Sequence, residues 1–197
     1  MCFIDFAQAY DSVWRAGTWK ILGKYVIHAK LIRLIRNLYG TIMACIRLEG
    51  EETEWFKIKT GLRQGCILSP ILFNMVLDYI MRRLERLHDL GVHSKPRNIE
   101  DAEYADDACL IAECLIRIME LLEAMAEESG KLGLKINFNK TKIMPISKEV
   151  NSQSAIKFKD QAIDVVAKFV YLSLILPQLS SRFPGKQILL LHQFLDP

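Results

Sequence analysis

Two adjacent aspartates, Asp106 and Asp107, interrupt what otherwise reads as a pair of β-strands, Asn98 to Tyr104 and Ala108 to Ala112. Burying two neighbouring carboxylates without partners is costly. The chain is therefore expected to turn here, with the acidic pair exposed at the tip of a hairpin between two half-apolar strands. An Asp-Asp pair in a turn is ordinary on its own, because aspartate favours turns through bonds to its own backbone. A third aspartate changes its weight. Asp5 sits at the end of the short apolar run Cys2 to Phe6, so the chain offers a third carboxylate, this one at a strand end.

The remaining periodicity supplies the frame for these acids. Leu22, Tyr25, Val26, Leu31, Leu34, Ile35 and Leu38 recur at helical spacing between Thr18 and Tyr39, with a break near His28 that predicts two helices. Asp11-Ser12 resembles a helix start. Met43 to Leu48 and Trp55 to Lys59 predict a hairpin around the turn Glu49-Gly-Glu-Glu52. Ser69-Pro70 fits an N-cap with proline at the first helical position, followed by an apolar face from Ile71 to Leu87. A second amphipathic helix runs from Leu115 towards Gly133, and strands are expected at Lys142 to Ile146 and Lys168 to Leu172. Strands and helices in this order predict an α+β domain, a ferredoxin-like, largely antiparallel sheet with helices packed on one face. Residues 1–176 are expected to form that unit and 177–197 a poorly ordered tail, where periodicity is lost after Leu176.

Composition excludes several classes. With 197 residues, 51% hydrophobic and 25% charged, the chain is globular and long enough for one sizeable core. A net charge of +3 is compatible with nucleic-acid binding without arguing for it. The five cysteines are scattered without zinc-ligand spacing and read as thiols of a reducing, intracellular compartment, cytoplasm or nucleus. The run Phe169 to Leu176 is far shorter than the roughly 20 residues that span a bilayer, so no membrane anchor is expected.

Asp5, Asp106 and Asp107 on neighbouring strand ends are what a two-metal centre requires, since Mg²⁺ takes hard carboxylate oxygens beside substrate phosphates. Phosphoryl transfer is the reaction that suits them. Four ordered blocks then carry a resemblance to the reverse transcriptases of non-LTR, LINE-type retrotransposons. These are Phe3-Ile-Asp-Phe-Ala-Gln-Ala-Tyr-Asp-Ser-Val13, Gly61-Leu-Arg-Gln-Gly-Cys-Ile-Leu-Ser-Pro-Ile-Leu-Phe-Asn74, Tyr104-Ala-Asp-Asp107 and Gly133-Leu-Lys-Ile-Asn-Phe-Asn-Lys-Thr141.

The resemblance implies a polymerase palm, with fingers and thumb largely missing from this chain. It implies Asp5, Asp106 and Asp107 as ligands to two Mg²⁺ ions, with Mn²⁺ as a substitute, Asp106 being the stronger candidate of the pair. Tyr10 would lie under the incoming sugar as a gate against a 2′-hydroxyl, while Gln64 and Gly65 would touch the incoming nucleotide. Lys140 matches a lysine thought to protonate pyrophosphate, though an exposed lysine in a turn is an equally ordinary reading. The expected partners are an RNA template, a DNA primer and deoxynucleoside triphosphates. A catalytically inactive retrotransposon remnant that folds or binds nucleic acid is the alternative. An unrelated metal-dependent phosphohydrolase would have no need for Tyr10 or for the Gln64-Gly65 loop.

Overall fold

The computed structural model describes residues 1–87, 101–104, 107–145, 155–171 and 174–177. Its centre is β1 (Cys2–Ile4), three residues long and buried throughout. Such a short strand persists because both of its edges are paired. On one side it runs antiparallel to β8 (Asp107–Leu110), with Cys2 opposite Leu110, Phe3 opposite Cys109 and Ile4 opposite Ala108. On the other it meets β10 (Lys142–Ile143), also antiparallel. β7 (Asp101–Tyr104) lies outside β8. β12 (Gln161–Val165) and β11 (Ala155–Phe158) extend the opposite edge, giving the order β11-β12-β10-β1-β8-β7. All neighbours are antiparallel except β10 and β12.

Strand period decides which face each residue serves. Cys2 and Ile4 join one apolar cluster with α4 (Leu68–Leu87) and α5 (Leu115–Gly130), so the helices cover their face. Phe3, between them, stacks on Phe169 of β13 (Lys168–Tyr171), with ring centroids 4.2 Å apart. β13 in turn pairs with β14 (Leu174–Pro177). The expected sheet with helices on one face is thus observed, and the opposite face meets a hairpin.

α4 buries Leu72, Phe73, Val76, Leu77, Ile80, Met81 and Leu84, an unbroken series at helical spacing. α5 meets it with Ile118, Leu121, Leu122 and Met125. Where the two helices touch, the buried Glu128 accepts from Arg83 at 3.0 Å and from Lys131 at 2.7 Å. The Arg83 hydrogen bond, then that of Lys131, outweighs burial and holds the Glu128 carboxyl below the ordinary carboxylate value.

α2 (Arg15–Lys24) and α3 (Ala29–Gly40) flank the break expected near His28, whose side chain accepts from the Lys30 amide. Arg15 is buried and faces no carboxylate in its bonds. It donates to the carbonyls of Gly61 (2.6 Å), Ile58 (2.7 Å) and Tyr39 (3.2 Å), tying three segments together. Burial lowers its affinity for the proton, yet an arginine keeps its charge. The expected hairpin forms as two small ladders, β3 (Met43–Ala44) with β6 (Phe56–Lys57) and β4 (Arg47–Leu48) with β5 (Glu51–Glu52).

Three local expectations need correction. Ser69 does not cap α4, which begins at Leu68; its hydroxyl donates to the Arg63 carbonyl at 2.6 Å and bonds Tyr39 Oη, so tertiary partners take the group that would have capped. Asp11 lies inside the short α1 (Ala9–Ser12) rather than before a helix. Asp107 is the first residue of β8, paired with Tyr104, so that strand begins one residue earlier than expected. Among the described residues no helix is long and apolar enough to cross a membrane.

The Glu128 cluster has a definite pH signature. A carboxylate whose folded value is depressed contributes stability that is full above its unfolded value and lost as pH falls through the folded one. Urea unfolding of the parent should weaken as pH falls from about 5 towards 3. In Glu128→Gln that acid-side loss should be visibly smaller, and the variant should already be less stable than the parent at neutral pH.

Candidate active site

Asp5 follows the last residue of β1. The β1–β8 ladder ends at the pair Ile4 and Ala108, and positions 5 and 107 are the next along the chain from that pair on either strand. The Asp107 side chain and all of Asp106 lie outside the described residues. Asp5 itself is half-buried, and its backbone is held by the turn that follows β9 (Lys135–Ile136): the Asn137 amide donates to the Asp5 carbonyl at 2.8 Å. The same turn carries Lys140, whose ammonium stands 3.9 Å from Asp5 Oδ1 with most of its side chain in solvent. Two of the expected groups are therefore adjacent.

A second group of expected residues gathers around α1. β2 (Phe6–Ala7) pairs with β9, after which Gln8 adopts a left-handed backbone conformation, φ 48°, and turns the chain into α1. Tyr10 stacks its ring on Phe73 of α4, centroids 4.9 Å apart, which fixes the ring plane. The Tyr10 carbonyl accepts from the Leu62 amide at 2.6 Å. Gln64 donates Nε2 to both carboxylate oxygens of Asp11 at 3.3 Å. The helix-start reading of Asp11 gave no hint of this pairing, which joins residues 53 positions apart.

Glycines make these approaches possible. Gly61 has φ +76°, and a Cβ there would stand 2.5 Å from the Asp11 carbonyl oxygen. Gly133 has φ +86°, and a Cβ there would overlap the Ser12 carbonyl oxygen. The backbone of α1 is thus flanked by glycine loops from two other blocks. Gly65, at φ +77°, has open space where a Cβ would be, so its requirement is backbone conformation alone.

Of the five cysteines, none of which forms a disulfide, two differ sharply in character. Burial pushes the Cys2 thiol up to about 12. Cys66 follows Gly65 in the same loop, and a hydrogen bond from the Leu68 amide at the start of α4 lowers its thiol. Among the described residues no group of three or more His, Cys, Asp or Glu side chains is gathered as a metal-binding cluster. The donor chemistry nevertheless fits a hard divalent cation, because two carboxylate residues, Asp5 and Asp107, each adjoin the Ile4–Ala108 pair that ends the β1–β8 ladder.

A strand order with β1 between β8 and β10, helices behind, and an acid at the end of the central strand is consistent with a palm-like α+β fold. Comparison with known proteins agrees. A family model described as reverse transcriptase (RNA-dependent DNA polymerase) matches residues 1–175. The chain belongs to that family. It is 30% identical over 142 residues to the Retrovirus-related Pol polyprotein from type-2 retrotransposable element R2DM of Drosophila melanogaster, covering 71% of this chain and 13% of that protein. It is 23% identical over 181 residues to the RNA-directed DNA polymerase from mobile element jockey of Drosophila funebris, covering 89% of this chain and 19% of the relative. These relatives place it with the non-LTR retrotransposon reverse transcriptases, and it spans less than a fifth of either. Among solved structures, apo telomerase from Candida tropicalis, truncated from its C-terminal domain, matches 89% of this chain and 35% of its own at TM-score 0.52 and 17% identity, a likeness of fold.

Two measurements follow from this geometry. Gly61→Ala and Gly133→Ala should each lower unfolding free energy by at least about 2 kcal/mol in urea titrations, combining left-handed strain with backbone collision. Gly50→Ala, at φ +93° in an open turn, should cost only about 1 kcal/mol. With iodoacetamide near neutral pH, mass-spectrometric mapping should find Cys66 alkylated well before Cys2.

Proposed function

We propose that this chain is the catalytic palm of an RNA-directed DNA polymerase that extends a DNA primer on an RNA template with deoxynucleoside triphosphates. The observation that carries the reading is Asp5 directly after the central strand, 3.9 Å from Lys140, beside the Ile4–Ala108 pair that closes the ladder with β8. Asp5, Asp106 and Asp107 would hold two Mg²⁺ ions. When bound, these ions would favour the attacking primer hydroxyl as its anion and neutralise charge on the departing pyrophosphate.

The chain's own groups supply the rest. Lys140 carries a proton on an exposed ammonium beside Asp5 and would donate it to pyrophosphate. Tyr10, its ring plane fixed by Phe73, would meet the sugar edge and exclude a 2′-hydroxyl. Gly65 leaves its backbone open on the side where a Cβ would project, room for a nucleotide to approach. Gln64 would offer an amide there, its side chain being oriented by Asp11. Residues 1–176 would act as the unit.

Primer extension tests this directly, on an RNA template with Mg²⁺ and deoxynucleotides, comparing the chain with Asp5→Asn and Asp106→Ala. The parent should extend the primer, and each variant should lose about 10²–10³-fold in rate with its far-ultraviolet circular dichroism retained. Extension unchanged in both variants would refute the carboxylate roles. No extension by the folded parent would turn the reading to an inactive remnant that keeps the fold.

A further inference from the structure

Thr141 ends the fourth block, one residue before β10, and is fully buried. Its Oγ1 accepts a hydrogen bond from the Asp5 amide at 3.4 Å. Asn137, four residues earlier, donates its own amide to the Asp5 carbonyl at 2.8 Å. Both backbone groups of Asp5 are therefore held by one turn, and that turn is closed on itself, since the amides of Lys140 and Thr141 both donate to the Asn137 carbonyl, at 3.1 and 2.9 Å. The position is one where restraint is needed. Asp5 sits between β1, which pairs with β8 and β10, and β2, which pairs with β9, and so belongs to neither ladder.

We infer that Thr141 is a positioning residue for Asp5: its buried hydroxyl fixes the Asp5 backbone at the break between β1 and β2 and so aims the carboxylate at the divalent cation. The inference rests on the proposed polymerase reading, in which Asp5 is a metal ligand. A hydroxyl acceptor suits the task because a backbone amide at a strand break would otherwise be left without its ladder partner. Valine has nearly the same shape and no acceptor, whereas serine keeps the acceptor and loses only a methyl group. Groups that orient a ligand from behind commonly change metal affinity by about 10–100-fold when removed.

The test is Mn²⁺ binding to the full chain, read from the free-ion signal in electron paramagnetic resonance, for the parent, Asp5→Asn, Thr141→Val and Thr141→Ser. Thermal unfolding of each protein establishes that it is folded at the temperature of titration. The expected result is Asp5-dependent binding by the parent, an affinity about tenfold weaker in Thr141→Val, and recovery to within about twofold in Thr141→Ser. Should Thr141→Val not fold, Thr141→Cys replaces it, because a thiol of similar size accepts weakly. Parent-like affinity in the folded valine or cysteine variant, alongside loss in Asp5→Asn, overturns the role of Thr141 alone. A parent whose Mn²⁺ binding is absent or indifferent to Asp5→Asn overturns the metal reading itself, and the inference with it.

Discussion

Close approach of backbone to backbone around residues 9–14 is the constraint on which the arrangement depends. Gly61 reaches the Asp11 carbonyl and Gly133 the Ser12 carbonyl, each with a positive φ and no room for a side chain. Hydrogen bonds complete the grip. Gly61 donates to the Val13 carbonyl at 2.9 Å, and Trp14 donates to the Leu132 carbonyl at 2.8 Å. Arg15 then locks the Gly61 carbonyl from beneath with its guanidinium. Loops far apart in sequence are thereby held against one turn, and it is these loops that bring Gln64 to Asp11 and, through the chain beyond Gly133, Lys140 to Asp5.

Positive charge is used in two distinct ways in this framework. Arg15 is consumed by carbonyls and serves packing, while Lys140 stays largely in solvent beside a carboxylate. The first kind of arginine cannot be exchanged for lysine without loss, because one ammonium cannot reproduce the planar fork that spans Gly61, Ile58 and Tyr39. The exposed pair of Lys140 and Asp5 contributes little to stability in itself. Its importance lies in where it places a proton donor.

Much of this was legible from the residues. The helical spacing in α3, α4 and α5, the break at His28 and the short strand before Asp5 all followed from period and punctuation, whereas the central place of that strand in the sheet did not. The β11–β12 hairpin did not emerge, although Ile156, Phe158 and Ile163 alternate into the core around a turn at Lys159, φ +53°. Short alternation flanked by lysines resembles a solvated loop until a neighbouring strand accepts it, and β12 is accepted through a parallel contact with β10 that no local pattern encodes. The same limit applies to polar side chains. Ser69 and Asp11 carried plausible capping signals, yet Arg63, Tyr39 and Gln64 compete for their oxygens from distant parts of the chain. Local chemistry nominates a hydrogen-bonding group, and tertiary geometry decides which partner it meets.

The brevity of β1 has an evolutionary corollary. Its three residues alternate between the helix-covered face and the face that meets Phe169, and Asp5 follows directly on the last of them. Because side chains in a strand repeat every two residues, deleting or adding a single residue here would exchange the two faces. An acid would be driven towards the apolar core and an isoleucine towards the place of the acid. Point substitutions at Cys2 or Ile4 that preserve volume can be absorbed by repacking. A change of length cannot, so the spacing from the start of β1 to Asp5 should drift far less among descendants of this sequence than the identity of the residues that fill it.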